Sequence, residues 1–579
     1  MENYINNFSK KLSNEKYNVF YGWQKFSLLF KKQKNKNLIV AIDGDYSTNW
    51  KVYKKNLKKI LSKKKSVFFD FSECIQSENF IYSYFKKNLS DNDKLFGKIN
   101  KGNLDLILNK KKVNQFKKKF NKFQNSKIKK NFDYIICLGT GIGSLNFKKK
   151  FDLFFYSNLT RSNALKNDQW KLNKGKTQTI SPNVFYYVIF PIMEKYQEKI
   201  IPFADYYIDF RKNNFPVLIS YKSFKEIIEF LSSNTIIFKP IYEAGVWGGQ
   251  WLVKKRKLNL PNCAIGIELI AQEQSIIAYF KDTKLEFPFT LLMTFKGNNI
   301  LGKKYSIKYN NYFPVRIAYD DTFKNKGENL SIQVHPNKSY MQKKFKEPLG
   351  QAEMYYIADT LPKSKVYLGF KKTINQKNFV KEIIQSSKNN NKIVYQKYIN
   401  SEDSKKGSLF LIPPGTVHAS GANNLVLEIS NTPYRYTFKI YDYCRKNLDG
   451  KKRSLSIEHA LNVLKFNRKE NWVKKNLCPK PKLIKNNSNC KEFLLSNNKN
   501  YTFNLYRIHF NKLYFDTTKN SMHILNLVEG TRIKVISLKN NYEATINLSE
   551  TILIPQILGS YKILNIDNCE CRIIKVVLK

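Results

Sequence analysis

Gln333 and His335 stand two residues apart in SIQVHP at 331–336, with Glu353 downstream in QAEMYYI and His418 at the end of LIPPGTVH. In an extended strand, side chains two apart share a face, so Gln333 and His335 can point at one centre. The β-formers around Glu353 place it on a strand, and the turn-rich phrase before His418 delivers that imidazole from a loop. Two imidazoles, one carboxylate and one amide oxygen form a donor set for Zn2+, one ion per chain, and such mixed N/O ligands also admit other divalent transition metals. The set carries one formal negative charge and leaves the ion net positive, which suits a Lewis acid that polarises a substrate oxygen. Structural zinc sites are usually closed and cysteine-rich, and this set has no Cys. The chain has five histidines, His335, His418, His459, His509 and His523. Spacing alone leaves open a second reading, in which His335 and His418 are satisfied core residues.

Other side chains join this centre by pattern. Glu428 interrupts the apolar strand LVLEIS, where a carboxylate is costly unless it is paired or faces a polar cavity. Ser331 shares a face with Gln333, and a plain strand serine would look the same.

The elements that must position these groups fall into three expected domains. Residues 1–228 alternate strand-like and helix-like runs, as in NLIVAIDGDYSTNW, KVYKKNLKKILSKK, KSVFFDFSE and FDYIICLGTGIG, which implies an α/β sheet with functional loops at its C-terminal edge. Gly139, Gly141 and Gly143 could cradle an anion through backbone N–H groups. The first strand ends in DGDYSTNW without GxxxxGKS, so the kinase phosphate loop is not intact and no nucleotide is expected there. Residues 229–465 read as short strands and polar turns, the spacing of a jelly roll, with helical insertions at KNFVKEIIQSS and SIEHALNVLKF. Residues 466–579 look like a second β-rich half without the metal phrase, so His523 and Glu529 are read as structural.

The formal charge of +56 comes from 101 Lys and Arg against 45 Asp and Glu. The Lys residues are spread along the whole chain, and Asn, Ile, Phe and Tyr, whose codons are also A/T-rich, are heavily used; genome composition explains the charge without a specific nucleic-acid partner. Eight cysteines without a CxxC pair read as reduced thiols. With no leader-like N-terminus and no apolar run of about 18 residues, a cytoplasmic protein without a membrane partner is expected. The sequence sets no oligomeric state.

ENLSIQVHP, AEMYYI, PPGTVHASG, LVLEIS and YDYCRKNLDGKKRSLSIEHAL occur in the order found in the type I mannose-6-phosphate isomerases, and FKPIYEAGVWGGQWL resembles the opening of their catalytic domain. The resemblance covers roughly 235–465. It implies cupin-type rolls, a metal held by Gln333, His335, Glu353 and His418, a sugar-phosphate substrate, Glu428 near the reacting carbons, and Ser331 near the substrate. Residues 1–228 resemble a degenerate nucleoside-kinase-like domain of the longer relatives, with Arg161 where such kinases carry lid arginines. Two positions depart from the pattern. Most relatives have Lys two residues before the metal-binding Glu, where this chain has Gln351; many have Arg ten residues after the inner Glu, where this chain has Lys439 one residue later. Lys lacks the bidentate fork of Arg, and Arg435 and Arg445 are the candidates to supply a guanidinium. An isomerase for a related sugar phosphate, or a cupin that binds a sugar phosphate without catalysis, is the alternative these departures raise.

Overall fold

The computed structural model describes residues 5–7, 19–31, 37–89, 96–145, 151–166, 182–210, 215–280, 283–323, 327–431, 433, 435–567 and 569–579. The fold is mixed α/β with several sheets. The chain divides into two compact units, one of Ile5–Ser232 with Gln272–Lys296, the other containing Ser233–Ala271 and Gly297–Lys579.

In the N-terminal unit, β1 (Phe20–Tyr21), β2 (Leu38–Gly44), β3 (Ser66–Asp70), β4 (Tyr134–Leu138), β5 (Leu153–Asn158), β6 (Tyr206–Asp209) and β7 (Val217–Ser220) form one sheet in the order β1-β7-β6-β5-β2-β4-β3. β2 to β6 run parallel and the last two strands at one edge are antiparallel. β2 is LIVAIDG, buried at every residue, the apolar run that a central parallel strand requires. Helix α1 (Trp50–Ile60) follows it, capped by Asn49, whose side chain accepts from Val52 N–H. Its buried face is Trp50, Tyr53 and Leu57, and its lysines take the opposite side.

The glycine phrase after β4 does cradle an anion, but the anion belongs to the chain itself. The fully buried Asp43 carboxylate accepts from the N–H groups of Gly44 at 2.7 Å, Gly141 at 2.8 Å and Gly143 at 2.8 Å, and from the Tyr196 hydroxyl. Gly141 sits at φ 91, a conformation that favours glycine. These donors therefore give no free cradle for a bound phosphate. Arg161 is engaged as well, by Glu194 at 2.6 Å and Glu273 at 3.5 Å.

In the other unit, β8 (Ile241–Glu243), β9 (Ile265–Leu269), β10 (Val315–Asp321), β11 (Ile332–Val334), β12 (Glu353–Thr360), β13 (Lys365–Phe370), β14 (Ile399–Asp403), β15 (Leu409–Ile412), β16 (His418–Ser420), β17 (Asn424–Asn431) and β18 (Phe438–Tyr441) build two antiparallel sheets. One has the order β8-β9-β10-β17-β12-β15 and the other β14-β13-β16-β11-β18. Helix α2 (Gln376–Asn389) is capped by Asn375 and buries Phe379, Ile383 and Ser386. The expected helix across SIEHALNVLKF is shorter, α3 (Ile457–Leu461), because Lys465 N–H donates to Gly415 O at 2.9 Å and ties the chain to a turn instead.

Strands from Lys482–Asn486 to Cys571–Leu578, joined at one edge by Ile236–Ile237, form a further seven-stranded and a four-stranded sheet around a core that includes Ile508, Leu527, Val535 and Ile563. His523 lies in this layer, with Nδ1 2.8 Å from the Tyr561 hydroxyl, and burial pushes its imidazole down to about 4. Glu529 pairs with Arg572 at 3.1 Å and Lys406 at 3.2 Å.

Candidate metal centre

β11 is a three-residue strand held between β16 and β18, with Gln333 opposite His418 on one side and Lys439 on the other. Directly opposed residues of an antiparallel pair share a face, so Gln333, His418 and Lys439 project to the same side of this sheet. Pro336 ends the strand and its carbonyl accepts from Gln351 N–H at 3.1 Å, while His335 O accepts from Gly415 N–H at 2.9 Å. Glu353 opens β12 in the other sheet. The two sheets face each other here, since Glu353 Oε2 lies 3.0 Å from His335 Nε2 and 2.9 Å from His418 Nε2.

The turn that presents His418 is tightly braced. Gly415 has φ 87, and a Cβ there would fall 2.7 Å from Val463 O, so PPGTVH needs glycine at this point. Thr416 Oγ1 donates to Pro413 O at 2.7 Å, and the buried Arg468 guanidinium donates to Pro413 O at 2.7 Å and to Thr416 Oγ1. The Tyr501 hydroxyl braces the opposite sheet, accepting from Ile412 N–H at 3.0 Å and donating to Glu353 O at 2.9 Å.

His335, Glu353 and His418 are each at most 1% exposed, and their ligand atoms lie within 4.8 Å of one another. His418 Nδ1 is 3.0 Å from Thr416 O. A carbonyl only accepts, so Nδ1 carries a proton, and in the neutral imidazole the Nε2 lone pair is turned toward Glu353. Two acceptors 2.9 Å apart in a buried place repel unless a cation or proton stands between them, and this donor chemistry fits a divalent metal. Burial pushes the His335 imidazole down, which keeps it neutral and able to ligate. Burial acts to raise Glu353, but positive charge or a donated proton at the His335 and His418 imidazoles outweighs it and holds the carboxyl well below its usual range, the same demand for a cation beside it. The Gln333 side-chain amide joins the group, with Nε2 3.3 Å from His418 Nε2; a half-turn of the amide presents its oxygen instead.

Of the other expected site residues, Glu428 lies on the strand next to Glu353. It lies on β17 between Ala318 of β10 and Tyr355 of β12, buried, with Oε1 paired to the Arg316 guanidinium and accepting from Ser430 Oγ at 3.0 Å. Burial pushes its carboxyl well above the ordinary range, opposed by Arg316 and reinforced by Glu353 and Asp320. Ser331, immediately before β11, is buried. Gln351 is 2% exposed, and its Oε1 has no hydrogen-bond partner among the described residues. Burial, with the guanidinium of Arg453 adding to it, pushes Lys439 down to about 8.

Arg445 is engaged by neighbouring groups. Its guanidinium is taken by Asp442, by Glu328 at 3.0 Å and by Asn329 O at 2.9 Å. Arg435 precedes β18 at φ 84. The guanidinium beside Glu428 is instead Arg316, which the sequence reading passed over. Its signal was present: Arg316 interrupts the apolar run FPVRIAY just as Glu428 interrupts LVLEIS.

Residues 22–233 match a family model described as a domain of unknown function (DUF8485). The mannose-6-phosphate isomerase ManA of Bacillus subtilis (strain 168) is 25% identical over 238 residues, 40% of this chain and 69% of that protein. The probable mannose-6-phosphate isomerase GmuF of the same organism is 35% identical over 135 residues, 23% of this chain and 40% of that protein. The crystal structure of the mannose 6-phosphate isomerase from Bacillus subtilis aligns with a TM-score of 0.48 at 17% identity, over 59% of this chain and 99% of that one.

Proposed function

We propose that this chain, a relative of proteins named mannose-6-phosphate isomerase, is a metal-dependent aldose–ketose isomerase that interconverts mannose 6-phosphate and fructose 6-phosphate. The observation that carries this reading is the convergence of two imidazole Nε2 atoms on one carboxylate oxygen. Gln333, His335, Glu353 and His418 would hold Zn2+ or a similar ion, which when bound supplies Lewis acidity toward a sugar oxygen.

The reaction moves a proton between C1 and C2 through a cis-enediol, so one group must take the proton from one carbon and return it at the other. Glu428 has that role, as a buried carboxyl one strand away from Glu353. Gln351 offers a neutral amide to a sugar hydroxyl, Ser331 a hydroxyl, and Lys439 a positive charge to an oxygen of the substrate. In this reading residues 229–465 are the catalytic cupin roll, with 466–579 a second cupin-like half. The strand order of the N-terminal unit supports a nucleoside-kinase-like architecture, and Asp43 in the place of a bound anion supports the absence of a nucleotide there.

A coupled assay on the full chain tests the proposal, with and without chelator. No conversion of mannose 6-phosphate by the metal-loaded protein, or full activity after verified metal removal, overturns it. Gln351, where most relatives carry Lys, and Lys439, one residue after the Arg of many, favour one second reading: a cupin that binds sugar phosphate without turning it over. Deuterium incorporation at C2 from heavy water rejects that alternative.

A further inference from the structure

β10, β17 and β12 lie side by side, and their registers put Arg316, Ser430 and Glu353 in one cross-strand row, with Ala318, Glu428 and Tyr355 in the next. Opposed residues share a face, so the guanidinium, the metal-side carboxylate and the inner carboxylate all project to the same side. Asp320, two residues on from Ala318, follows on that face of β10 and is buried at 2% exposure. Three buried carboxylates thus face one Arg. The Arg316 side chain is 9% exposed, pairs with Glu428 Oε1, and keeps an Nε without a partner among the described residues. Ser430 Oγ donates to that same Oε1 at 3.0 Å, so the carboxylate is gripped from two strands.

Resting on the isomerase reading above, we propose that Arg316 is a positioning residue for Glu428. It fixes the carboxylate group in one orientation beside the metal centre and balances its charge against Glu353 and Asp320, the task that neither Gln351 nor the engaged Arg445 performs. A planar fork suits this, because it holds direction as well as charge.

The test is a cycle of Arg316→Met, Arg316→Lys, Glu428→Gln and the two double variants in the zinc-loaded full chain. Turnover, zinc content, and calorimetric binding of 6-phosphogluconate as an unreactive six-carbon phosphate are measured for each. Arg316→Met is expected to lower kcat about a hundredfold with KM within about threefold, and to cost under about threefold in the Glu428→Gln background. Arg316→Lys is expected to fall between wild type and Arg316→Met, with one zinc per chain retained. Equal losses in both backgrounds, or loss of zinc from Arg316→Lys, overturn the proposal. Should Arg316→Met fail to fold, the Lys variant in the two backgrounds decides by the same coupling. A wild type that does not isomerise overturns the isomerase reading alone; the binding cycle then decides for Arg316, which should matter for 6-phosphogluconate when Glu428 is present and not when it is Gln. A wild type that neither turns over nor binds overturns both.

Discussion

His418 Nε2 lies 2.9 Å from Glu353 Oε2, although the two residues open strands in different sheets. With the His418 Nδ1 proton committed to Thr416 O, the neutral imidazole sets lone pair against lone pair here, a contact that a cation relieves.

Zinc should therefore stabilise the full chain. An ion at about a thousand times its Kd contributes about 4 kcal/mol by mass action, which a chelator removes. Melting curves with chelator, and after zinc is restored, measure it. Glu353→Gln and His418→Ala should each abolish the zinc response, with bound metal by elemental analysis as the second readout. A zinc response that survives both substitutions would show that the ion binds elsewhere.

Lys439 stands opposite Gln333 and is half-buried. If it supplies positive charge to the substrate, Lys439→Gln should lower kcat/KM about ten- to a hundredfold, or about 1.4–2.8 kcal/mol of transition-state stabilisation. Lys439→Arg should recover part of it. Zinc content should be unchanged in both, which separates this role from support of β11.

The residues most legible in the sequence were those whose role follows from local geometry. Gln333 and His335 share a face because strand periodicity is two, and the glycine of PPGTVH reports a turn that only a positive φ can make. Arg316 was less legible, because its importance depends on a register between β10 and β17, strands that are distant in sequence. The long-range braces of the site, Arg468 on Pro413 O and Tyr501 on Glu353 O, left no local pattern at all. The glycine phrase GTGIG suggested N–H groups that could hold a phosphate, yet the carboxylate that accepts from Gly141 and Gly143, Asp43, lies about a hundred residues upstream and no spacing rule links the two.

Tyr501 offers a test of such a brace. Its hydroxyl satisfies two buried backbone groups at once, Ile412 N–H and Glu353 C=O. Tyr501→Phe leaves both unpaired and should cost about 1–3 kcal/mol of stability. The substitution frees the carbonyl of the metal-side residue without touching its carboxylate, so zinc should still bind, with weaker affinity. Urea unfolding and zinc titration together read the two effects; an unchanged urea midpoint would show that the brace carries no weight.

Asp43 predicts how the stability of the N-terminal unit varies with pH. Burial pushes its carboxyl up to about 6, although Tyr196 and the N–H groups of Gly141, Gly143 and Gly44 pull the other way. The neighbouring Asp45 is pushed up to about 6 by burial too, with Ser47 and Arg161 opposing and Glu194 adding. A carboxyl whose folded value lies above its unfolded value binds more protons in the native state between the two. Its stabilising contribution is complete below about pH 4 and is lost as pH rises through about 6, at about 3 kcal/mol for each residue. Urea midpoints of the full chain should therefore fall from pH 4.5 to 6.5 through these residues. In Asp43→Asn, which does not titrate, that fall should be less steep by the share of Asp43. An identical slope in wild type and variant would remove Asp43 as its source.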